Sequence, residues 1–416
     1  MSDHSGKNEN RKWIRHIRNW NLITAIISRW IPRKFNFTYD DFGIENIEGP
    51  VIVIPNHSCA WDPLFIGLAM RKRQMYFVAS EHILRWRVAG PVINRLVEPI
   101  PRKKAGMATG TVRSCLRHLR AGHSVCLFAE GEQTWDGVSK EVFPATGKLV
   151  KQSGATLVTY RLEGAYLSMP RWAYDVRKGM VHGHAAGIYP PEVLKKMSAG
   201  EVNRLINKDI YVDTWQWQQN HPQGPVSYAG KGDGYESARG LERALFICPS
   251  CLKAGTLRTE GDRIMCSCGF SSKYLDTGFL DQVSKGSGTQ TPERVFRTIS
   301  EWDQWEIAEM ERQLQDLTES GNGCFFSDHD AKLSKVEDGH NDVLISEGRL
   351  SLAAEKGKLV LHAGERSFEY SGIDMMAPVL SSILLFSAGG EYYQIKAENT
   401  NIRKYVLAWE SGIGKE

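Results

Sequence analysis

The segment VIVIPNH at residues 51–57 limits the possible folds more than any other stretch of the chain. Four consecutive β-branched residues end at a proline, and a run that is apolar on both alternating faces forms a strand only where both faces of the sheet are covered. Similar short runs recur at 75–79, 124–128 and 156–160, separated by helix-like stretches that include 63–70 and 109–120. Strands alternating with helices over residues 45–215 point to an α/β domain, a mixed sheet flanked by helices. Ser198 followed three residues later by Glu201 predicts a capping box for a closing helix over about 202–217.

The chain is too long for that domain alone. With 416 residues, 42% of them apolar, it can bury two or three cores. Residues 218–245 are rich in Gly, Pro and polar side chains and read as a linker after an α/β domain spanning 37–217. A cysteine-rich module follows at 246–276, then an acidic helix-like segment within 277–320. From 321 to 416 short alternating runs such as KLVLHA and EYYQIKA predict a β-rich domain, closed by the helix-like IRKYVLAWE.

Residues 11–34 hold seven Lys or Arg and no acid. Trp13, Ile17, Trp20, Thr24, Ile27 and Ile31 recur there at helical spacing, and Pro32 is expected to close the helix. Two readings of this 1–36 segment stand: an amphipathic helix lying on an anionic membrane surface, or a helix docked on the protein's own core. The net charge of +4 gives no ground for a nucleic-acid partner. The first ten residues are polar, the apolar stretch 22–27 is short, and nowhere do about 18 uninterrupted apolar residues occur. Peripheral contact with the cytoplasmic side of a membrane is the expectation.

Two loops carry the chemistry. In PNHSCAWDP, residues 55–63, a buried strand ends and His57 and Asp62 follow, five positions apart, just before a helix. Imidazole titrates near working pH and suits a general base, while a carboxylate can fix its tautomer. In VCLFAEGEQTWDG, residues 125–137, a second strand runs into Glu130 and Gly131. Ligands gather at strand carboxyl ends in such sheets, so the two loops belong to one site. Cys59 raises a rival nucleophile, but no separate His motif serves it, and a small packing residue is the alternative.

These two blocks, with VEPIPRKKAG and LVTYRLEGAY in the same order, resemble the glycerolphospholipid acyltransferase family over roughly residues 35–215. The resemblance implies an O-acyltransferase of 1-acylglycerol-3-phosphate acyltransferase type, working in phospholipid biosynthesis. It would move a fatty acyl group from acyl-CoA or an acyl carrier protein to a lysophospholipid-like acceptor without a catalytic cofactor. It also implies that His57 and Asp62 are catalytic and that Arg102, Glu130, Gly131 and the position of Gln133 bind the acceptor. The chain departs from the family pattern with Ala129 for Pro, Glu132 for Thr and Gln133 for Arg, which argues against recognition of a free phosphate monoester. Nine Lys or Arg against two acids over 71–104 could serve CoA phosphates, an acyl carrier protein or lipid, or form a solvated basic face. A non-catalytic lipid-binding or regulatory protein and a thioesterase or lipase are the alternatives; the last lacks a G-x-S-x-G turn.

Cys248-Pro-Ser-Cys251 and Cys266-Ser-Cys268, fourteen residues apart, suggest a structural zinc ribbon, with free thiols or a redox pair as the other reading. The region from about 340 loosely resembles pleckstrin-homology-like domains, and a plain β-rich interaction domain explains it equally well.

Overall fold

The computed structural model describes residues 2–84, 89–102, 109–232, 234–284, 294–337, 342–398 and 400–413. It divides into two compact units, one formed by 1–103, 107–170 and 176–228, the other by 104–106, 171–175 and 229–416.

In the first unit the order is α1 (Ser2–Phe35), β1 (Phe37–Tyr39), β2 (Val51–Pro55), α2 (Asp62–Ala69), β3 (Met75–Ser80), α3 (Glu81–Leu84), α4 (Ala89–Leu96), β4 (Ile100–Arg102), α5 (Thr109–Arg120), β5 (Ser124–Cys126), α6 (Ala145–Ser153), β6 (Thr156–Glu163), α7 (Ala165–Ser168), β7 (Val181–Tyr189), α8 (Pro191–Lys195), α9 (Ala199–Ile210) and α10 (Thr214–Gln219). Seven strands form one sheet in the order β1-β7-β6-β2-β5-β3-β4. β2 pairs in parallel with β5 and β6, β3 with β5 and β4, and only β7 runs antiparallel to its neighbour β6. The VIVIP run is β2, at the centre and fully buried, as an apolar run on both faces requires. Val51 and Val53 pack into one core layer, Ile52 and Ile54 into the other. The capping box of Ser198 and Glu201 opens α9.

The first helix corrects two expectations. Pro32 does not close it: α1 runs on to Phe35, because Ile31 and Phe35, both fully buried, hold the last turn against the core. Asn36, in the left-handed region at φ 52, ends it instead. The stripe expected to face lipid is mostly turned inward. Trp20, Thr24, Ile27 and Ile31 are buried, Trp13 is half-buried with its ring stacked on His123 at 3.9 Å, and only Ile17 remains exposed. Each buried large aliphatic contributes about 1.5–3 kcal/mol to docking. The opposite face shows Ile14, Leu22, Ile26 and Trp30 to solvent beside Arg18, Arg29 and Arg33. Among the described residues no helix is long and apolar enough to cross a membrane.

The 218–245 stretch, expected as a linker, is packed. Tyr228 is buried and donates its hydroxyl to the Met180 carbonyl in the first unit; Ala238, Leu241, Ala244 and Leu245 are buried in the second. Here the glycines serve tight turns and close approaches: a Cβ on Gly230 would meet the Tyr235 ring at 2.1 Å.

The second unit begins with β8 (Leu257–Glu260), β9 (Arg263–Cys266), β10 (Ser271–Tyr274) and β11 (Leu280–Ser284), an antiparallel sheet ordered β11-β10-β9-β8. The acidic segment is helix α11 (Ile299–Ser320), opened by a capping box of Thr298 and Glu301 and ended at Gly321 with φ 85. Seven strands follow: β12 (Asn322–Val336), β13 (Asp342–Glu355), β14 (Lys358–Ala363), β15 (Arg366–Glu369), β16 (Ile373–Val379), β17 (Ile383–Ala388) and β18 (Glu391–Lys396). VLISEG and RLSLAA prove to be one long strand, β13. The sheet order is β15-β14-β13-β12-β18-β17-β16, and helix α12 (Arg403–Glu410) completes the core with Tyr405 fully buried.

Candidate active site

The parallel strands β2, β5, β3 and β4 deliver their carboxyl ends to one side of the sheet. His57 follows β2, Phe128 to Gln133 follow β5, and Arg102 ends β4.

The loop after β2 is held by Asn56, buried and lying against β6. Its side-chain amide donates to the Leu162 carbonyl at 3.0 Å and its oxygen accepts from the Leu162 N–H at 2.7 Å. Asp62 starts α2, where a carboxylate suits the positive end of the helix, and Pro63 follows in the first turn, where its missing N–H costs nothing. Asp62 Oδ2 accepts from His57 Nδ1 at 2.8 Å and from the N–H groups of Ser58 and Cys59 at 2.6 and 2.9 Å. The carboxylate partner puts the proton on Nδ1 and leaves the Nε2 lone pair free. The Asp62 side chain is 0% exposed and that of His57 16%, so the pair is anchored inside while the ring keeps solvent access. Phe128 stacks on the ring at 4.3 Å.

Cys59 is fully buried and donates its thiol to Asp62 Oδ1 at 3.2 Å. Burial and the Asp62 charge push its pKa well above the ordinary thiol value, which removes it as a nucleophile.

Glu130 is committed to the loops. One carboxylate oxygen accepts from the His57 N–H at 2.6 Å and the other from the Lys140 N–H at 2.7 Å. Burial raises its pKa to about 8, against the pull of those two N–H groups. The Thr134 N–H adds a bond to the His57 carbonyl at 3.0 Å. Gly131 has φ 86, and a Cβ there would meet the Phe143 ring at 2.3 Å, so the turn needs glycine. The Arg102 guanidinium lies over the Phe143 ring at 4.8 Å and donates weakly to the Gly131 carbonyl at 3.4 Å. Burial lowers its pKa, and the Glu132 charge opposes that. Glu132 is salt-bridged to Lys140 at 2.5 Å, and Gln133 is half-buried in the same turn.

The structure thus brings His57, Asp62, Glu130 and Gly131 together and places Arg102 and Gln133 alongside. Sequence reasoning missed Asn56, Phe128, Thr134 and Lys140. Asn56, a polar residue directly after a buried strand, carried a readable signal. Lys140 acts through its backbone N–H, which no side-chain pattern reveals.

A model of the acyltransferase family matches residues 38–163, the stretch that contains every one of these sequence-expected groups. Among solved structures the chain is similar to the 1-acyl-sn-glycerophosphate (LPA) acyltransferase PlsC from Thermotoga maritima, at 18% identity and a TM-score of 0.40, covering 50% of this chain and 80% of that one. The segment from 38 to 163 is therefore an acyltransferase-family domain.

Proposed function

We propose that the protein transfers a fatty acyl group from acyl-CoA or an acyl carrier protein thioester to a hydroxyl of a lysophospholipid-like acceptor, with His57 as general base. The observation that carries this reading is the His57–Asp62 pair: Nδ1 held by a buried carboxylate, Nε2 left free at the mouth of the sheet. Nε2 takes the acceptor's proton as its oxygen attacks the thioester carbonyl. Asp62 stabilises the imidazolium. The tetrahedral intermediate then breaks its C–S bond, and Nε2 returns the proton to the leaving thiolate. Nothing in these steps calls on a metal.

The acceptor's class is supported by the outer face of α1. Ile14, Leu22, Ile26 and Trp30 beside Arg18, Arg29 and Arg33, with no acid between residues 11 and 34, suit an anionic lipid interface. Trp30 also packs against Trp61 at 5.3 Å, one residue before Asp62, so this face borders the site. We read the protein as peripheral on the cytoplasmic side of a membrane. The C-terminal sheet, with meanders of four and three strands joined at β12 and β18 and a helix across its core, supports the pleckstrin-homology-like reading.

Incubation with membranes and labelled acyl-CoA, followed by lipid mass spectrometry, tests the reading. Labelled diacyl lipid is expected. Labelled free fatty acid alone would make the protein a thioesterase or lipase, and binding without turnover would make it a regulator.

A further inference from the structure

The acyl-transfer reading leaves the cysteine cluster without a role. Cys248 and Cys251 lie on a tight turn closed by the bridge between Ile247 and Ala254, with Leu252 in the left-handed region at φ 61. The Leu252 N–H donates to the Cys248 carbonyl at 2.9 Å and the Cys248 N–H to the Lys253 carbonyl at 3.2 Å. Cys266 and Cys268 lie on a second turn, between β9 and β10, closed by the Gly269 N–H on the Cys266 carbonyl at 3.0 Å, with Gly269 at φ 96. The Cys268 thiol thus comes within reach although one residue, rather than two, separates the pair.

The two turns face each other. All four sulfurs lie within 4.8 Å of one another, and the Cys248–Cys268 and Cys251–Cys266 separations are both 3.7 Å. A disulfide would need about 2.05 Å. A tetrahedron of sulfurs about 2.3 Å from a central ion has edges of about 3.8 Å. Donors surround the sulfurs as well. The N–H groups of Ser250 and Cys251 point at Cys248, that of Lys253 at Cys251 and that of Cys268 at Cys266, where they would stabilise thiolates. The Thr256 hydroxyl lies 3.2 Å from Cys266 Sγ.

We propose that Cys248, Cys251, Cys266 and Cys268 bind one zinc ion in a closed, four-thiolate structural site. Four sulfur ligands leave no position for substrate, so the ion staples rather than catalyses. What it staples follows from the contacts of the first turn, which is already fixed to α11. The Glu306 carboxylate accepts from the Phe246 and Ile247 N–H groups, the Trp302 indole donates to the Ile247 carbonyl, and the Gln313 amide donates to the Leu252 carbonyl. The ion ties the second turn, and with it the β8–β11 sheet, to this helix-bound first turn.

Elemental analysis of the full chain, purified without chelator, is expected to find one zinc per chain. Cys268→Ser is expected to lower bound zinc about tenfold or more. Because that variant can misfold, the parent supplies the second measurement: cobalt(II) exchanged into it should give the visible bands and thiolate charge transfer of a tetrahedral four-sulfur site. A chain that holds no metal and takes up no cobalt, a chain that holds iron, or peptide mapping that finds these cysteines in two disulfides would each overturn the proposal. These readouts do not depend on acyl transfer, so failure here leaves the reading of His57 intact.

Discussion

Glu130 is where the residue scale separates two accounts of the site. The family resemblance implies that this glutamate holds the acceptor, whereas both its oxygens are occupied by the His57 and Lys140 N–H groups. It therefore acts as a positioning residue that joins the two loops. Glu130→Ala leaves two buried N–H groups unpaired, a cost of about 1–3 kcal/mol each. It is expected to lower kcat with little change in the acceptor's KM, and Glu130→Gln, which keeps one acceptor, is expected to recover part of the rate. A raised KM at unchanged kcat would return Glu130 to the acceptor site. His57, Asp62 and Glu130 were legible because each stands within a few positions of a strand end. The His57–Glu130 bond was not, since 73 residues separate its partners.

At the scale of the element, α1 shows why a helical stripe read from sequence is ambiguous. Trp, Ile and Thr at helical spacing bury equally well against lipid or protein, and only the docked structure shows that Trp20, Ile27 and Ile31 face the core. Replacing Ile14, Leu22, Ile26 and Trp30 by Ser is expected to release the protein from anionic liposomes without changing its thermal stability. Trp20→Ser should do the reverse, and liposome binding by the fourfold variant at the parental level would remove α1 as the contact. The same helix carries a pH dependence. His16 is buried and stacked on Tyr76, which also meets the tilted ring of His118 of α5 at 4.1 Å, with His123, Arg15, Glu98 and Arg117 around them. Burial lowers both pKa values, that of His118 to about 4 from the ordinary 6.5. Their contribution is therefore fully present above about pH 6.5 and lost as the pH falls toward the folded-state value, with solvent screening weakening the effect at the partly exposed His118. His118→Phe, which keeps an aromatic ring against Tyr76, is expected to shrink the drop in melting temperature between pH 7 and pH 5; an undiminished drop would exclude this cluster as its source.

For the whole molecule, two units with separate cores are expected to unfold in two calorimetric transitions, and stripping zinc should lower only the one belonging to residues 229–416. A single transition, unmoved by chelator, would contradict this. The α/β class was legible from alternating runs of strand-like and helix-like residues. The packing of 218–245 was not, because glycine and proline serve a close-packed turn as well as a solvated linker. The order of the C-terminal sheet was equally hidden, since β12 pairs with β18 across some sixty residues and such pairing leaves no local trace. Proton transfer by His57 is tested by acyl transfer from labelled acyl-CoA to lysophospholipid, comparing the parent with a folded His57→Ala variant. Turnover is expected to fall about 10²-fold or more with acceptor binding and melting temperature nearly unchanged, because a base acts in the transition state. A folded variant that transfers acyl groups at the parental rate would contradict it.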